Sequence, residues 1–445
     1  MSRRTVDDLQ EIADRIVADA RGNEQIEVTV SRMGETDIRA YQGNVEHFVS
    51  AQSADVSVRV IVDGRTGTSH AGTLDESAIR EVLEEARENA GFAGRDEFAG
   101  LAGPDGVPVT PQELWDDALE AFPTEKKVDI ALELERLAVS QDARLRIDSS
   151  NYSDRYMEEA FATTKGIRGS YRSNSCYASV ELLADDAGET QTGWSYALGK
   201  NPGEFDLDDA ARRAATRATR LLGAVKPASR RTTVVLDPMV TAQFLGIIGS
   251  TMNGENVVKG RSMFANRLGE DVASPVITLI DDPTDSRAFT ATEIDSDGLA
   301  ARRNVLIENG NLRMFVHSSY SARRAGTHST GNAVGSGVGC LALQLVPGTL
   351  TQEELIAGID EGVLIDSVQG LHSGVNTVSG DFSTGATGLM IRNGRTAEPL
   401  REFTIASTLQ RMLQNVQAIG GDVDWLPMRA AGVSLVITDV TMSGA

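Results

Sequence analysis

The sequence predicts an α+β protein in two parts. Residues 1–225 read as a duplicated helix–β-meander–helix region, with halves 1–110 and 111–225, and residues 226–445 read as a C-terminal α+β domain with large, mostly antiparallel sheets. Four observations predict this. The same order of elements occurs twice before Lys226-Pro227. The composition changes after that dipeptide, and long crossover helices are too few for a doubly wound parallel sheet. At 445 residues the chain is also too long for one ordinary core.

In the first half, an amphipathic helix at Val6–Ala20 precedes strands near Ile26–Arg32, Thr36–Tyr41, Val45–Ser50, Asp55–Val62 and Thr66–Ala71. Met33-Gly34, Gln42-Gly43-Asn44 and Asp63-Gly64 mark turns between them. A helix at Asp75–Ala90 follows, with Asp75 as its cap and an apolar series Ile79, Leu83, Ala86. Residues Gly91–Pro111 are rich in Gly and Pro and read as a connector. In the second half, a helix at Thr124–Ser140 with Thr124 as cap precedes strands near Arg144–Tyr152, Met157–Thr163, Ile167–Tyr171, Tyr177–Ala184 and Glu189–Ala197. A helix at Leu207–Leu222 ends it. The last strands of the halves even share a pattern, Gly67-Thr68-Ser69-His70-Ala71 against Gly193-Trp194-Ser195-Tyr196-Ala197.

The C-terminal part opens with strand Thr232–Leu236 and a helix at Pro238–Met252, capped by Asp237 with Pro238 in the first turn. Strand Val276–Ile280, an acidic loop at Asp281–Asp297, a hairpin at Asn309-Gly310 and a helix at Ser319–Ala325 follow. Then come the glycine-rich stretch Gly331–Gly339, strand Leu341–Val346, helix Gln352–Ile359 and strand Val363–Val368. Gly370–Leu389 (GLHSGVNTVSGDFSTGATGL) holds five glycines and six Ser/Thr residues, a loop built from φ > 0 positions and local side-chain bonds. A strand at Ala386–Arg392, a turn at Asn393-Gly394, a helix at Ser407–Ile419 and a strand at Ser434–Val440 finish the chain.

The bulk numbers narrow the function. Hydrophobic content of 41% and charged content of 24% are those of a globular protein, and the net charge of −22 argues against nucleic acid as a direct ligand. No apolar run reaches membrane-spanning length and the N-terminus is charged, so neither secretion nor a membrane partner is expected. Two cysteines, Cys176 and Cys340, give no disulfide framework, which fits a reducing cytoplasm.

Catalytic patterns are thin. Of the histidines His47, His70, His317, His328 and His372, no two have the spacing that places zinc ligands on one helix face. Asp295-Ser296-Asp297-Gly298 lacks the remaining ligands of a calcium loop, and no metal site is expected. No G-x-S-x-G elbow exists. His372, Ser373 and Asp381 can be drawn as a triad, but adjacent strand residues point to opposite faces. Gly335-Ser336-Gly337-Val338-Gly339 precedes a strand rather than a helix, so it reads as a mobile or chamber-lining loop instead of a phosphate cradle.

The segment Gly370–Leu389, together with Ser318–Ala333 (SSYSARRAGTHSTGNA), resembles the PmbA/TldE branch of the TldD/PmbA family. Gly43-Asn44-Val45-Glu46 and Val62-Asp63-Gly64-Arg65-Thr66-Gly67 are similar to its N-terminal hairpins. The resemblance implies a cytoplasmic two-subunit peptidase whose TldD-type subunit holds zinc through an H-E-x-x-x-H helix and a C-terminal cysteine. By the shared K-G-x-S-x-F at Lys259–Phe264, the equivalent helix here is Pro238–Met252, and the ligand and base positions fall on Leu245, Gly246 and Ser250. None of these offers zinc a suitable donor, and Gly420–Ala445 contains no cysteine.

The resemblance thus implies a subunit without cofactor, a TldD-like partner carrying zinc in a heterodimer, and an unfolded peptide as substrate, and it leaves open a homodimer when the chain is alone. Arg323, Asn332, His372, Ser373, Asn376 and Asp381 are expected to line the enclosure. Two other readings stand beside it: a metal-independent hydrolase using His372, Ser373 or Asp381, and a non-enzymatic modulator in keeping with the family's older name as a modulator of DNA gyrase.

Overall fold

The computed structural model describes residues 6–444, so residues 1–5 and 445 of the expected domain ranges lie outside the described residues. Contacts divide the chain into two compact units: residues 6–108, 113–220 and 297–299, and residues 109–112, 221–296 and 300–444. No helix among the described residues is long and apolar enough to cross a membrane.

The first unit contains α1 (Val6–Ala18), β1 (Gln25–Tyr41), β2 (Asn44–Val62), β3 (Arg65–Ala71), α2 (Glu76–Phe92), α3 (Asp117–Glu120), α4 (Thr124–Val139), β4 (Leu145–Thr163), β5 (Arg168–Asp186), β6 (Glu189–Gly199) and α5 (Leu207–Thr219). Its strands form one antiparallel sheet in the order β3-β2-β1-β4-β5-β6. Alternation of apolar residues buries Ile26, Val28, Val30, Val56, Val58 and Val60 on one face, where Leu9, Ile12 and Ile16 of α1 and Ile79, Val82 and Leu83 of α2 cover them.

The meanders are simpler than expected. Ile26–Arg32 and Thr36–Tyr41 are one strand, and β2, β4 and β5 likewise each join two expected segments. Met33-Gly34 is no turn: Gly34 pairs with Gln52 and Tyr156 inside the sheet. A Cβ at Gly34 would stand 2.1 Å from the Tyr156 ring, so the glycine makes room for an aromatic side chain across the strands. Gly67 and Gly193 have a related task. A Cβ there would meet Ala86 O and Ala90 N at 2.1 Å, or Ala214 O at 2.2 Å and Ala218 N at 2.3 Å, so each lets a helix lie directly on the sheet. That accounts for both G-x-S-x-A patterns structurally. The cap of α4 is Pro123 rather than Thr124, and Asp75 caps α2 by position without a side-chain bond.

The second unit contains β7 (Arg230–Leu236), α6 (Pro238–Thr251), α7 (Gly254–Val258), β8 (Leu279–Asp281), β9 (Asn304–Glu308), β10 (Asn311–Leu312), α8 (Ser319–Ala325), β11 (Ala333–Val334), β12 (Gly337–Val338), β13 (Leu343–Leu345), α9 (Gln352–Ala357), β14 (Glu361–Gln369), α10 (Leu371–Gly374), β15 (Asp381–Arg392), β16 (Arg395–Thr408), α11 (Leu409–Gln414), β17 (Val416–Ile419), β18 (Asp424–Trp425), β19 (Ala431–Gly432) and β20 (Leu435–Ser443). Its main sheet runs β16-β15-β14-β7-β20-β17, and β16 also pairs with β20 at Thr404–Ser443, Ile405–Met442 and Ala406–Thr441. Five strands therefore close into a ring. Only β14 and β7 pair in parallel within it. Closure removes the free edges an open sheet would leave. A smaller sheet, β10-β9-β8-β13, stands beside two short hairpins. The expected long helix at Ser407–Ile419 is the six-residue α11, capped by the Thr408 hydroxyl, and then strand β17.

Candidate functional site

Helix α6 begins where the Asp237 carboxylate accepts from the Met239 amide at 3.1 Å, with Pro238 in its first turn. Val240, Phe244, Leu245 and Ile248 face the interior. Leu245 is 1% exposed, whereas Gly246 and Ser250 lie on the exposed side, four residues apart on one stripe. A Cβ at Gly246 would meet nothing within 4 Å, and the Ser250 hydroxyl donates to Ile247 O at 2.6 Å. This donor set does not fit zinc: an aliphatic side chain turned inward, no side chain, and a hydroxyl bonded to its own helix. Among the described residues no group of three or more His, Cys, Asp or Glu side chains stands close enough to hold a metal ion.

Helices α6 and α7 join the two distinctive segments. Phe244 meets Phe382 edge to face at 6.3 Å, and the Met263 amide donates to Thr377 O at 3.1 Å, so Gly370–Phe382 is held from this side. The Gly254 amide donates to Val316 O at 2.9 Å, and Asn253 Nδ2 donates to Val338 O at 2.6 Å, which ties in α8 and the glycine-rich stretch. Cys340 lies against Gly249, where a Cβ would approach the Leu343 side chain to 2.4 Å.

Gly370–Leu389 is shorter as a loop than expected. One helical turn, α10, holds His372 and Ser373, and β15 already begins at Asp381. His372, Ser373, Asn376 and Asp381 are all exposed. The Ser373 hydroxyl donates to Gly370 O at 3.2 Å. The Ser379 hydroxyl donates to the Asp381 carboxylate at 2.6 Å. Asn376 Oδ1 accepts from the Val378 and Ser379 amides at 2.9 and 3.1 Å, folding the segment into an Asx turn. Both outer members of the imagined triad are thus bonded to groups other than His372.

The Ser318–Ala333 segment divides. Ser318 and Ser321 form a capping box on α8, Arg323 is partly buried, and His328 is exposed. His317 is buried with Nδ1 3.2 Å from the Ser321 hydroxyl, and burial lowers its pKa below the usual imidazole value. Asn332 is not a wall residue: it is 0% exposed. Its amide donates to Asp281 Oδ2 at 2.6 Å and to Gly339 O at 3.1 Å. Its Oδ1 accepts from Thr330 Oγ1 at 2.7 Å and Asn304 Nδ2 at 3.0 Å.

The other Asp281 oxygen accepts from the Leu341 and Ala342 amides at 2.8 and 2.7 Å. Sequence reasoning missed this buried centre, having taken Asp281 as the start of an acidic loop. The signal was a carboxylate directly ending an apolar strand. Burial pushes the Asp281 carboxyl up to about 6, outweighing its three donors.

Comparison with known proteins places this geometry. Residues 229–444 match the model of the PmbA/TldA metallopeptidase C-terminal domain, residues 117–222 its central domain, and residues 26–90 its domain 1. A metalloprotease PmbA homolog from Haemophilus influenzae is 25% identical over 423 residues, covering 94% of this chain and 92% of its own. A metalloprotease from Methanothermobacter thermautotrophicus is 27% identical, with 93% and 90% covered.

A crystal structure from Thermotoga maritima, described as a candidate modulator of a DNA gyrase, superposes with TM-score 0.91 at 25% identity, covering 97% of this chain and 99% of its own. TldE from Thermococcus kodakarensis shares the fold, with TM-score 0.89 at 22% identity and 98% and 99% covered. With all three domain models matched in order along the chain, this protein belongs to the PmbA/TldD metallopeptidase family.

Proposed function

We propose that the chain is the TldE/PmbA-like subunit of a two-subunit cytoplasmic metallopeptidase, and that its TldD-like partner carries the zinc. The observation that supports this reading is helix α6, where the residues that the family resemblance sets at the ligand and base positions are an inward-turned Leu245 and an exposed Gly246 and Ser250. A family of metallopeptidases with no donor set here calls for the metal to be supplied by another chain. In this reading Arg323, His372, Ser373, Asn376 and Asp381 line one side of an enclosure that admits unfolded peptide as an added strand.

Selection by enclosure needs no side-chain pocket, since a folded protein cannot present a free strand. The test is co-expression with a TldD-like homologue, followed by metal analysis and a casein or peptide cleavage assay. The isolated chain is expected to hold no stoichiometric zinc and to cleave nothing, and the pair to cleave with zinc in the partner. Stoichiometric zinc in the isolated chain overturns the reading.

A further inference from the structure

One end of the first unit's sheet frames an open cavity of about 590 Å³, within the range of small-molecule sites. Four stretches of chain meet there: Asn23–Gln25 leading into β1, the Asp63-Gly64 turn between β2 and β3, Arg95–Ala99 beyond α2, and Thr164-Lys165 between β4 and β5. Hydrogen bonds fix them against one another. The Asp96 amide donates to Gly64 O at 2.7 Å, and Arg95 bridges Arg65 in antiparallel register. Gly64 has φ +77°, and a Cβ there would stand 2.8 Å from Asp96 O, so glycine is what lets this segment reach the turn. The Thr164 amide donates to Ile26 O at 2.9 Å, and the Thr164 hydroxyl accepts from the Ile26 amide at 3.0 Å. Gln25 Oε1 accepts from the Leu101 amide at 3.0 Å. The walls are therefore set before any ligand arrives.

Nine of the eleven lining residues have polar side chains, Gly64 and Ala99 being the other two. Some of these groups are occupied. Glu24 pairs with Arg87 at 2.9 Å, and Asp63 accepts from Asn23 Nδ2 at 2.9 Å. Three are not. Among the described residues, the charged groups of Arg95, Glu97 and Lys165 have no hydrogen-bond or ion-pair partner. Elsewhere exposed arginines close onto the nearest carboxylate, as Arg136 does onto Glu133 and Arg144 onto Asp142. Here two cations and an anion share one wall without closing on each other.

A wall of both signs with so few apolar groups disfavours the commoner ligands. A phosphate meets Asp63, Asp96 and Glu97, and an apolar ligand finds little to pack against. We propose that this cavity binds a small zwitterion, a free α-amino acid with a polar side chain. Arg95 and Lys165 take its carboxylate, and Glu97 takes its ammonium group. Gln25 Nε2 and the Thr164 hydroxyl proton, donors not used within the chain, meet a side-chain carbonyl such as that of glutamine. Such binding involves the first unit alone and is independent of which subunit carries zinc.

The test is saturation-transfer NMR on the full chain with three probes: L-glutamine, N-acetyl-L-glutamine, which lacks the ammonium group, and L-glutamine amide, which lacks the carboxylate. L-Glutamine is expected to bind saturably at millimolar concentration. Each analogue should bind at least about tenfold more weakly, having lost one charge-assisted hydrogen bond. Arg95→Gln and Lys165→Gln should weaken L-glutamine by a similar factor and leave L-glutamine amide unchanged. Glu97→Gln should weaken L-glutamine and leave N-acetyl-L-glutamine unchanged. All three side chains are exposed, and thermal melting confirms that the variants stay folded. Arg80→Gln, at an exposed position of α2 outside the cavity, should change nothing. Absence of saturable L-glutamine binding overturns the proposal. So does equal binding of N-acetyl-L-glutamine, which assigns the cavity to anions, and so does binding that none of the three cavity substitutions alters.

Discussion

Replacing Asp281 by Asn isolates the buried centre that fixes the glycine-rich stretch to β8. Asp281 is 0% exposed and accepts three hydrogen bonds, and burial nevertheless pushes its carboxyl up to about 6. An unfolded aspartate titrates near about 3.9. The folded state therefore holds the proton more tightly. Its contribution to stability is fully present below the unfolded value and is lost as the pH rises through about 6. The whole loss is about 3 kcal/mol, and about 1.4 kcal/mol of it falls between about pH 5 and pH 7.5.

The amide introduced by Asp281→Asn cannot ionise, and opposing it to the side-chain amide of Asn332 adds a cost of about 1–3 kcal/mol that is independent of pH. Urea unfolding followed by the fluorescence of the three tryptophans, at both pH values, gives the double difference. Wild type should lose about 1.4 kcal/mol relative to Asp281→Asn on going to the higher pH. A difference between the two proteins that stays constant with pH refutes the assignment of a raised carboxyl to Asp281.

The other expectations concern close packing. Gly67→Ala and Gly193→Ala each drive a methyl group into the backbone of a covering helix and should each cost about 2–3 kcal/mol, read as a lowered urea midpoint. An unchanged midpoint in both would show that α2 and α5 do not lie on the sheet at these positions. Burial pushes the Cys176 thiol up to about 12 and the Cys340 thiol well above its ordinary value. Neither should react with a thiol reagent near about pH 8 in the native protein, and both should react after denaturation; rapid labelling of the native chain contradicts that burial.

How much was legible in the sequence depended on the distance of the cause. Gln42-Gly43, Asp63-Gly64, Asn309-Gly310 and Asn393-Gly394 turn the chain as expected, since each has residues at positive φ, a local matter of sterics. Met33-Gly34 has the same appearance in sequence but lies within β1, because the glycine answers to Tyr156 on another strand. That Leu245 and Gly246 carry no donor atom in their side chains was equally readable, because residue type alone decides it. That Leu245 turns inward while the other two face out came only from the packing of α6.

By itself the sequence determined the α+β class, the antiparallel habit, the turns at Gln42-Gly43, Asp63-Gly64, Asn309-Gly310 and Asn393-Gly394 and the family, all of which depend on short-range pattern and residue identity. Tertiary structure alone decided two further things: the closing of the ring through β16 and β20, and the joining of Asp281 to Asn332 and Ala342. Each arises from groups remote in the chain. No local propensity encodes either.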